Sequence, residues 1–204
     1  MNKEGTVKYA AEHTSAALEL TFNVLKQWTE LNEVRTSLHK LGLIGVYPDG
    51  IGYGNLSLRF SEEQFIISGT ATGAKEVLSL SEYCMVKSFD ITRNMVVSSG
   101  PIQASAESMT HGAVYHSSAC ANCVIHIHSG KIFSGMLRDN YPVTPKEAEF
   151  GTPQMAIAIG KLVEAEGDKG QIVMAGHDEG VIAYGATIEK ALSKTLELYK
   201  KYIG

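Results

Sequence analysis

The sequence lacks the features that mark secreted, membrane and nucleic-acid-binding proteins. Its 204 residues include only three cysteines, which is too few and of the wrong parity for a disulfide framework. It has no run of roughly 18 or more apolar residues, and its first residues carry scattered charges where a signal peptide has an apolar core. A formal net charge of −4 leaves no basic surface for a phosphate backbone. We therefore expect a cytoplasmic protein without nucleic-acid or membrane partners.

The chain also lacks internal repeats, low-complexity tracts and linkers that would divide it. Its hydrophobic content of 44% is enough for a large core. We predict one domain over residues 1–204, in which residues 1–16 form a loose N-terminal arm. Apolar residues at helical spacing then predict one bent helix or two consecutive helices over residues 17–41, ended by Gly42.

Strand and helix patterns alternate through the rest of the chain. Residues 56–68 predict two antiparallel strands around the turn SEEQ, and a further pair follows around residues 85–97. Helices are predicted over residues 105–117, from Thr152 with Pro153 in the first turn, and over residues 187–202; strands are predicted over residues 123–129, 171–175 and 181–185. This order predicts an α/β domain in which helices cover both faces of one mostly antiparallel sheet.

The segment VIHIHS at residues 124–129 places two histidines two residues apart in a run of Val and Ile. Side chains alternate along a strand, so His126 and His128 project from the same face. Two interpretations fit this pair: two core histidines, each hydrogen-bonded to a neighbour, or two ligands of one metal ion. The pair by itself does not separate them.

A metal site needs further ligands, and two residues are strong candidates. Glu107 opens the predicted helix before VIHIHS, so its carboxylate should lie at a helix N-terminus, where it should stay ionised beside a cation. His177 lies in the tight turn AGHDEG between two apolar strands, and the flanking glycines let the backbone bend. Asp178 or Glu179 in the same turn could orient a metal histidine.

The run Cys-x-x-Cys-x-x-His-x-His, which begins at Cys120, offers an alternative metal site made of neighbours in sequence. Its spacing differs from zinc fingers, in which about a dozen or more residues separate the Cys and His pairs. Small buried thiols are also common core residues. We therefore favour a site without Cys120 and Cys123.

Five segments in order resemble the class II aldolase/adducin family. They are GNLSLRF at 54–60, ISGTATG at 67–73, SAESMTH at 105–111, VIHIHS at 124–129 and GHDEGVIAYGATIEKAL at 176–192. The resemblance implies a three-layer α/β/α sandwich around a mostly antiparallel sheet, commonly assembled as a homotetramer. It implies a metal-dependent aldehyde-lyase that makes or breaks a C–C bond in a small hydroxy-keto compound, with a sugar phosphate as one candidate, through a metal-stabilised enediolate. A sugar-phosphate 4-epimerase, a dehydratase or a non-catalytic adducin-like assembly module are the alternatives.

The resemblance also assigns roles to individual residues. His126, His128 and His177 match the histidines that hold a divalent ion, usually Zn²⁺, with Mn²⁺, Co²⁺ or Fe²⁺ as alternatives, and Glu107 matches the acidic residue that closes the metal site and acts as acid/base. Asn55, Ser68, Gly69 and Ser105 match substrate-binding positions. Thr72 and Gly73 are an alternative to Ser68 and Gly69, and Ala106 stands where the family has a second serine.

Overall fold

The structure is a computed structural model that describes residues 7–204. Its helices are α1 (Phe22–Lys40), α2 (Ser108–Ser117), α3 (Gly130–Arg138), α4 (Pro153–Glu166) and α5 (Ile188–Tyr202). Its strands are β1 (Ala10–Ser15), β2 (Gly45–Val46), β3 (Gly52–Tyr53), β4 (Asn55–Arg59), β5 (Phe65–Ser68), β6 (Tyr83–Asp90), β7 (Met95–Gly100), β8 (Cys123–His128), β9 (Gln171–Val173) and β10 (Gly180–Gly185). None of the helices in this part of the chain has the length and apolar character that a membrane span requires.

Eight strands form one sheet in the order β1-β7-β6-β5-β4-β8-β10-β9. The pair of β1 and β7 is parallel and every other neighbouring pair is antiparallel. The strand that carries the paired histidines, β8, lies between β4 and β10, so hydrogen bonds hold both of its edges. A separate two-stranded ribbon joins β2 and β3.

Helices cover both faces of this sheet. One core packs α2 and α4 against one face, with Met109, Tyr115 and Ile159 among its buried residues. The other core packs α1, α3 and α5 against the opposite face, with Leu38 and Leu198 among its members. The predicted α/β/α sandwich around a mostly antiparallel sheet is confirmed.

Most helix and strand predictions agree with the structure, and three differences are informative. Within the predicted range 17–41 the structure has one helix, α1, which begins only at Phe22. Gly42 lies just beyond its end and has a φ of +71°. Within the described part of the predicted loose arm, Ala10–Ser15 forms an edge strand, so the arm prediction is wrong there; residues 1–6 lie outside the described residues. Helix α3 was not predicted. Strand β1 is mostly exposed, so it shows no alternation of apolar and polar residues. Helix α3 is amphipathic, with Ile132 and Met136 on its buried side, but its nine residues are too few for a sustained helical period.

The side chain of Arg35 connects α1 to the loop at residues 69–76. Its guanidinium is buried and donates to the carbonyl oxygens of Lys75, of Glu76 at 2.7 Å and of Thr72 at 3.0 Å. Hydrogen bonds from a charged group are stronger than neutral ones, and the planar guanidinium can serve several acceptors at once. Arg35 therefore anchors this loop to α1.

We predict that Arg35→Met lowers the free energy of unfolding by about 3 kcal/mol, because the charged hydrogen bonds are lost and buried carbonyl groups are left unpaired. Urea denaturation measures this change. Arg93→Met is the control, since Arg93 is exposed in a turn. A loss for Arg35→Met no larger than that of the control would contradict the anchoring role.

Candidate metal centre

Strand β8 directs the paired histidines into the core that contains α2 and α4. All six of its residues are buried. Val124 belongs to that core, whereas Ile125 and Ile127 belong to the core on the other face. Because side chains alternate along a strand, His126 and His128 share the face of Val124. The predicted same-face placement is therefore observed.

His177 reaches the same place from the turn between β9 and β10. The backbone N–H of His177 donates to the carbonyl oxygen of Met174 at 2.9 Å, and the backbone carbonyl of His177 accepts from the N–H of Gly180 at 2.9 Å. Gly176 permits a close backbone approach, since a Cβ there would lie 1.8 Å from the carbonyl oxygen of Ala148. The antiparallel register then places Gly180 beside His128. The turn thus brings together two histidines that are 49 residues apart in the chain.

The three imidazoles meet at their Nε2 atoms. The Nε2 atom of His128 lies 2.9 Å from that of His126 and 3.1 Å from that of His177, and the latter two are 3.2 Å apart. Nitrogens that share an ion at about 2.0–2.1 Å, with angles of about 90–110° at the ion, lie about 2.8–3.4 Å from each other. The triangle therefore has the size of one face of a metal coordination shell, and these residues can hold a divalent ion.

Burial keeps these imidazoles neutral, which is the form that binds a metal. Desolvation lowers the pKa of His126 to about 4. It also lowers the pKa of His128 and His177 well below the usual value, and each is lowered further by the neighbouring histidines. The ring of Phe150 packs against the ring of His177, with 4.6 Å between the ring centroids, and helps to exclude water.

Glu107 lies in the wall of the same cavity, although its carboxylate is not part of the three-histidine cluster. It precedes α2 and is only 4% exposed. Its Oε2 accepts from the hydroxyl of Thr110 at 2.7 Å, and its Oε1 has no hydrogen-bond partner among the described residues. Burial raises the pKa of Glu107 to about 7, while Thr110 and Lys8 lower it. Burial therefore outweighs the helix-start position that favoured ionisation, and a cation nearby would lower the pKa again.

Other predicted site residues surround a cavity of about 40 Å³. Asn55 lies opposite His126 in the sheet, and its buried Oδ1 is unpaired within residues 7–204. Ser105 lines the cavity, and its Oγ accepts from the Glu107 N–H at 3.3 Å. Ser68 does not line the cavity, and its Oγ accepts from the Leu56 N–H.

The glycine-containing loop contributes Gly69 from one candidate segment and both Thr72 and Gly73 from the other. Residues Gly69, Thr70, Ala71, Thr72 and Gly73 all line the cavity. A Cβ at Gly73 would lie 2.1 Å from the carbonyl oxygen of Gly45, so this glycine lets two backbone segments touch. The alternative placement at Thr72 and Gly73 thus borders the cavity as directly as Gly69 does.

The cysteines lie away from the histidine cluster. Cys123 belongs to the core on the opposite face of β8, and Cys120 is exposed. In the described part of the chain the only group of metal-binding side chains with close ligand atoms is the three histidines. This overturns the alternative site made of cysteines and histidines. His111 is buried nearby, with its Nδ1 2.7 Å from the hydroxyl of Ser57.

Two tyrosines at the site were missed by sequence reasoning. Tyr53 lines the cavity, and the centroid of its ring lies 5.5 Å from the centroid of the His128 ring. The hydroxyl of Tyr47 lies 2.9 Å from His128 Nδ1. Both belong to the stretch YPDGIGYGN at residues 47–55, in which only Asn55 was predicted to have a role in the site. Aromatic residues between glycines just before Asn55 were the signal that could have revealed them.

Comparison with known proteins identifies the family. Residues 47–200 match the model of the Class II Aldolase and Adducin N-terminal domain, so the chain belongs to this family. A comparison with curated proteins found no match. The fold is similar to YgbL of Klebsiella pneumoniae, for which aldolase, epimerase and decarboxylase activities have been suggested, with 17% identity, 86% of each chain covered and a TM-score of 0.64.

Fuculose-phosphate aldolases share the same fold. One L-fuculose 1-phosphate aldolase is 19% identical, with 87% of this chain and 84% of that chain covered and a TM-score of 0.62. The L-fuculose-1-phosphate aldolase of Thermus thermophilus is 20% identical, with 86% of this chain and 88% of that chain covered and a TM-score of 0.60. Identities this low establish the fold, whereas activity has to be argued from the site itself.

We predict that Gly180→Ala disrupts the histidine cluster. The new Cβ would lie 2.7 Å from His177 Cδ2 and 3.2 Å from His126 Cε1, so the rings must move. Affinity for Zn²⁺, measured by competition with a chelator, should fall by roughly 10 to 100-fold, as for other changes that misplace metal ligands. Gly160→Ala is the control, because it creates a similar 2.9 Å contact with Ser117 far from the cluster. Equal affinities in the two variants would contradict this prediction.

Proposed function

We propose that the protein is a zinc-dependent aldehyde-lyase of the class II aldolase type, which cleaves or forms a C–C bond in a small hydroxy-keto compound. The observation that carries this proposal is the meeting of three neutral imidazole nitrogens within 3.2 Å beside a buried, partly unpaired carboxylate. A cluster with no other purpose would bury polar groups at a cost of about 1–3 kcal/mol each. This cost favours a functional site.

The donor set suits zinc or a related first-row ion. Three neutral histidines leave the full positive charge of the ion in place, and three protein ligands leave a coordination position open. The bound ion would supply a Lewis acid that stabilises negative charge on substrate oxygens. A structural zinc site would instead be closed by four protein ligands.

Glu107 is the residue that we propose as acid/base. Glu107 lines the cavity, and its Oε1, which has no hydrogen-bond partner among residues 7–204, can accept a proton from a substrate hydroxyl group and later return it. Burial raises the pKa of Glu107, whereas a bound cation would lower it, so the carboxylate would be available as a base at neutral pH. The hydroxyl of Thr110 holds the other oxygen, so the carboxylate keeps its orientation during the transfer.

The substrate contacts that we propose are Asn55, Ser105 and the backbone around Gly69. Asn55 offers a buried side-chain oxygen, Oδ1, that has no hydrogen-bond partner within residues 7–204, and the loop from Gly69 to Gly73 brings its backbone to the cavity. Ser68 does not line the cavity and its hydroxyl oxygen accepts from the Leu56 N–H, so we propose that it supports the start of this loop next to Gly69. A phosphate or a hydroxylated carbon chain has the acceptors and donors that match these groups.

An epimerase or a dehydratase on the same scaffold is the second candidate, favoured by the similarity of the fold to YgbL, for which several activities have been suggested. Analysis of the products separates these reactions, since only a lyase releases two carbon fragments. A non-catalytic assembly module is disfavoured because the histidine cluster and Glu107 are all present.

We also propose a cytoplasmic homotetramer, for which exposed Phe22 and Leu25 on α1 supply apolar surface.

We predict that the purified protein binds about one divalent ion per chain and that His126→Ala, His128→Ala and His177→Ala each remove it. Losing a ligand costs more than the roughly 10 to 100-fold typical of changes around the ligands. Elemental analysis after gel filtration measures the bound ion. The double variant Cys120→Ser with Cys123→Ser is the control and should keep the ion. Retention of the ion by the histidine variants would overturn the proposed site.

We predict that Glu107→Gln still binds the ion while turnover falls by roughly 10² to 10⁴-fold, which is the contribution of a general acid or base. Glutamine keeps the size of the side chain and can still accept from Thr110. The measurement is aldehyde release from hydroxy-keto sugar phosphates by the zinc-loaded protein. Glu63→Gln in the exposed turn between β4 and β5 is the control.

Two outcomes of this experiment would count against the proposal in different ways. Turnover of Glu107→Gln within a few-fold of the wild type would exclude Glu107 as the acid/base. No turnover by the zinc-loaded wild type on any sugar-like substrate would favour the assembly module and overturn the enzyme.

A further inference from the structure

The hydroxyl of Tyr47 links the histidine cluster to a carboxylate outside it. It lies 2.9 Å from His128 Nδ1 and donates to Glu179 Oε2 at 3.1 Å. Tyr47 follows strand β2, whereas Glu179 lies in the turn that also carries His177. Two loops from different parts of the chain thus meet at the side of His128 that faces away from the other two histidines.

The chemistry of these groups fixes the direction of the hydrogen bonds. A carboxylate can only accept, so the single hydroxyl proton of Tyr47 goes to Glu179. The oxygen of Tyr47 must then accept from His128, which places a proton on Nδ1. In the neutral imidazole this leaves a lone pair on Nε2, the atom that faces His126 and His177. These hydrogen bonds therefore favour the tautomer of His128 that can bind a metal ion through Nε2.

The backbone at Glu179 gives an independent indication that this side chain has a function. Glu179 has a φ of +63°, in the left-handed region that glycine adopts without cost and that Asn and Asp tolerate best. Glutamate is an unusual residue there. Unfavourable backbone conformations that persist in a folded protein cluster at functional sites. A turn built only for compactness would be served better by glycine.

The start of α3 packs closely against the carboxylate and the backbone of Glu179. Gly130 is the first residue of α3, and a Cβ there would lie 2.8 Å from Glu179 Oε1. The Ser129 N–H donates to the backbone carbonyl of Glu179 at 3.0 Å, which holds the turn against this helix end. The N-terminus of a helix favours a negative charge. Glu179 is thus held by the backbone, by α3 and by Tyr47.

We infer that Tyr47 and Glu179 are positioning residues, which hold His128 with its proton on Nδ1 and its Nε2 directed at a divalent cation. The inference rests on the proposed function, because it concerns the same ion. A carboxylate behind a metal-binding histidine also increases the basicity of the ligand nitrogen, and such partners typically change metal affinity by about 10 to 100-fold. Neither residue belongs to the three-histidine cluster or lines the cavity.

The experiment measures Zn²⁺ affinity by chelator competition, together with the melting temperature of the metal-free protein, for the wild type, three single variants and the double variant Tyr47→Phe with Glu179→Gly. Tyr47→Phe removes the bridging hydroxyl, and Glu179→Gly removes the carboxylate while relieving the left-handed backbone. Asp178→Asn is the matched control, since it removes an equal charge one residue away. The backbone of Asp178 is another hydrogen-bonding neighbour of His128, and all three variants retain it.

We predict that Tyr47→Phe and Glu179→Gly each weaken Zn²⁺ binding by roughly 10 to 100-fold, whereas Asp178→Asn stays within about twofold of the wild type. The metal-free Glu179→Gly protein should melt at the same temperature as the wild type or higher, because glycine suits the left-handed backbone. A purely structural role would instead lower melting temperature and affinity together. The double variant should bind no more weakly than the weaker single variant, because the two residues act as one chain.

Nitrogen NMR of the metal-free protein tests the tautomer directly. The wild type should show His128 protonated on Nδ1, and Tyr47→Phe should add the Nε2-protonated form. Zn²⁺ binding by the wild type with equal affinity in Tyr47→Phe would overturn this inference alone. No Zn²⁺ binding by the wild type would overturn the proposed function together with it.

Discussion

The alternation of side chains along β8 is the constraint on which the rest of the structure depends. The strand is hydrogen-bonded on both edges, and a slip by one residue would turn Ile125 and Ile127 towards the cavity and the histidines into the core of α1, α3 and α5. Its apolar residues stabilise the sheet against α1, α3 and α5. The same register directs His126 and His128 to the other face. Stability and the geometry of the site are therefore consequences of one strand pairing.

The site combines a rigid sheet with loops that only close contacts can hold. Gly73 lies against the backbone of Gly45, and Gly176 lies against that of Ala148. Arg35 holds the first of these loops by hydrogen bonds to carbonyl groups. Groups on loops are accurate only when packing fixes them, and this packing leaves little space for a side chain. The loops can therefore present polar groups to a narrow cavity.

Burial explains the electrostatics of the site. It keeps the three imidazoles neutral, and it raises the pKa of Glu107 towards neutrality. It also leaves acceptors on Asn55 and Glu107 unpaired within the described chain, although such groups are normally satisfied. A cation and a polar substrate would satisfy them. The protein thus keeps unfavourable interactions at the place where a ligand would relieve them.

The sequence by itself determined the features that depend on local periodicity. These include the shared face of His126 and His128, the start of α4 at Pro153 and the hairpin of β4 and β5. The order of five motifs also identified the family, because each motif is contiguous. Strand β1 escaped detection because it is held by backbone pairing to β7 and buries few side chains.

Only the tertiary structure decided which distant groups meet. The distance between His177 and β8 depends on the packing of a turn, and the contact of Tyr47 with His128 and Glu179 joins three separate segments. The pKa of Glu107 depends on how deeply α2 is buried, which a helix-start pattern does not reveal. The physical reason is the same in each case: periodicity records the direction of a side chain relative to its own backbone, whereas distance and desolvation depend on all the elements that pack around it.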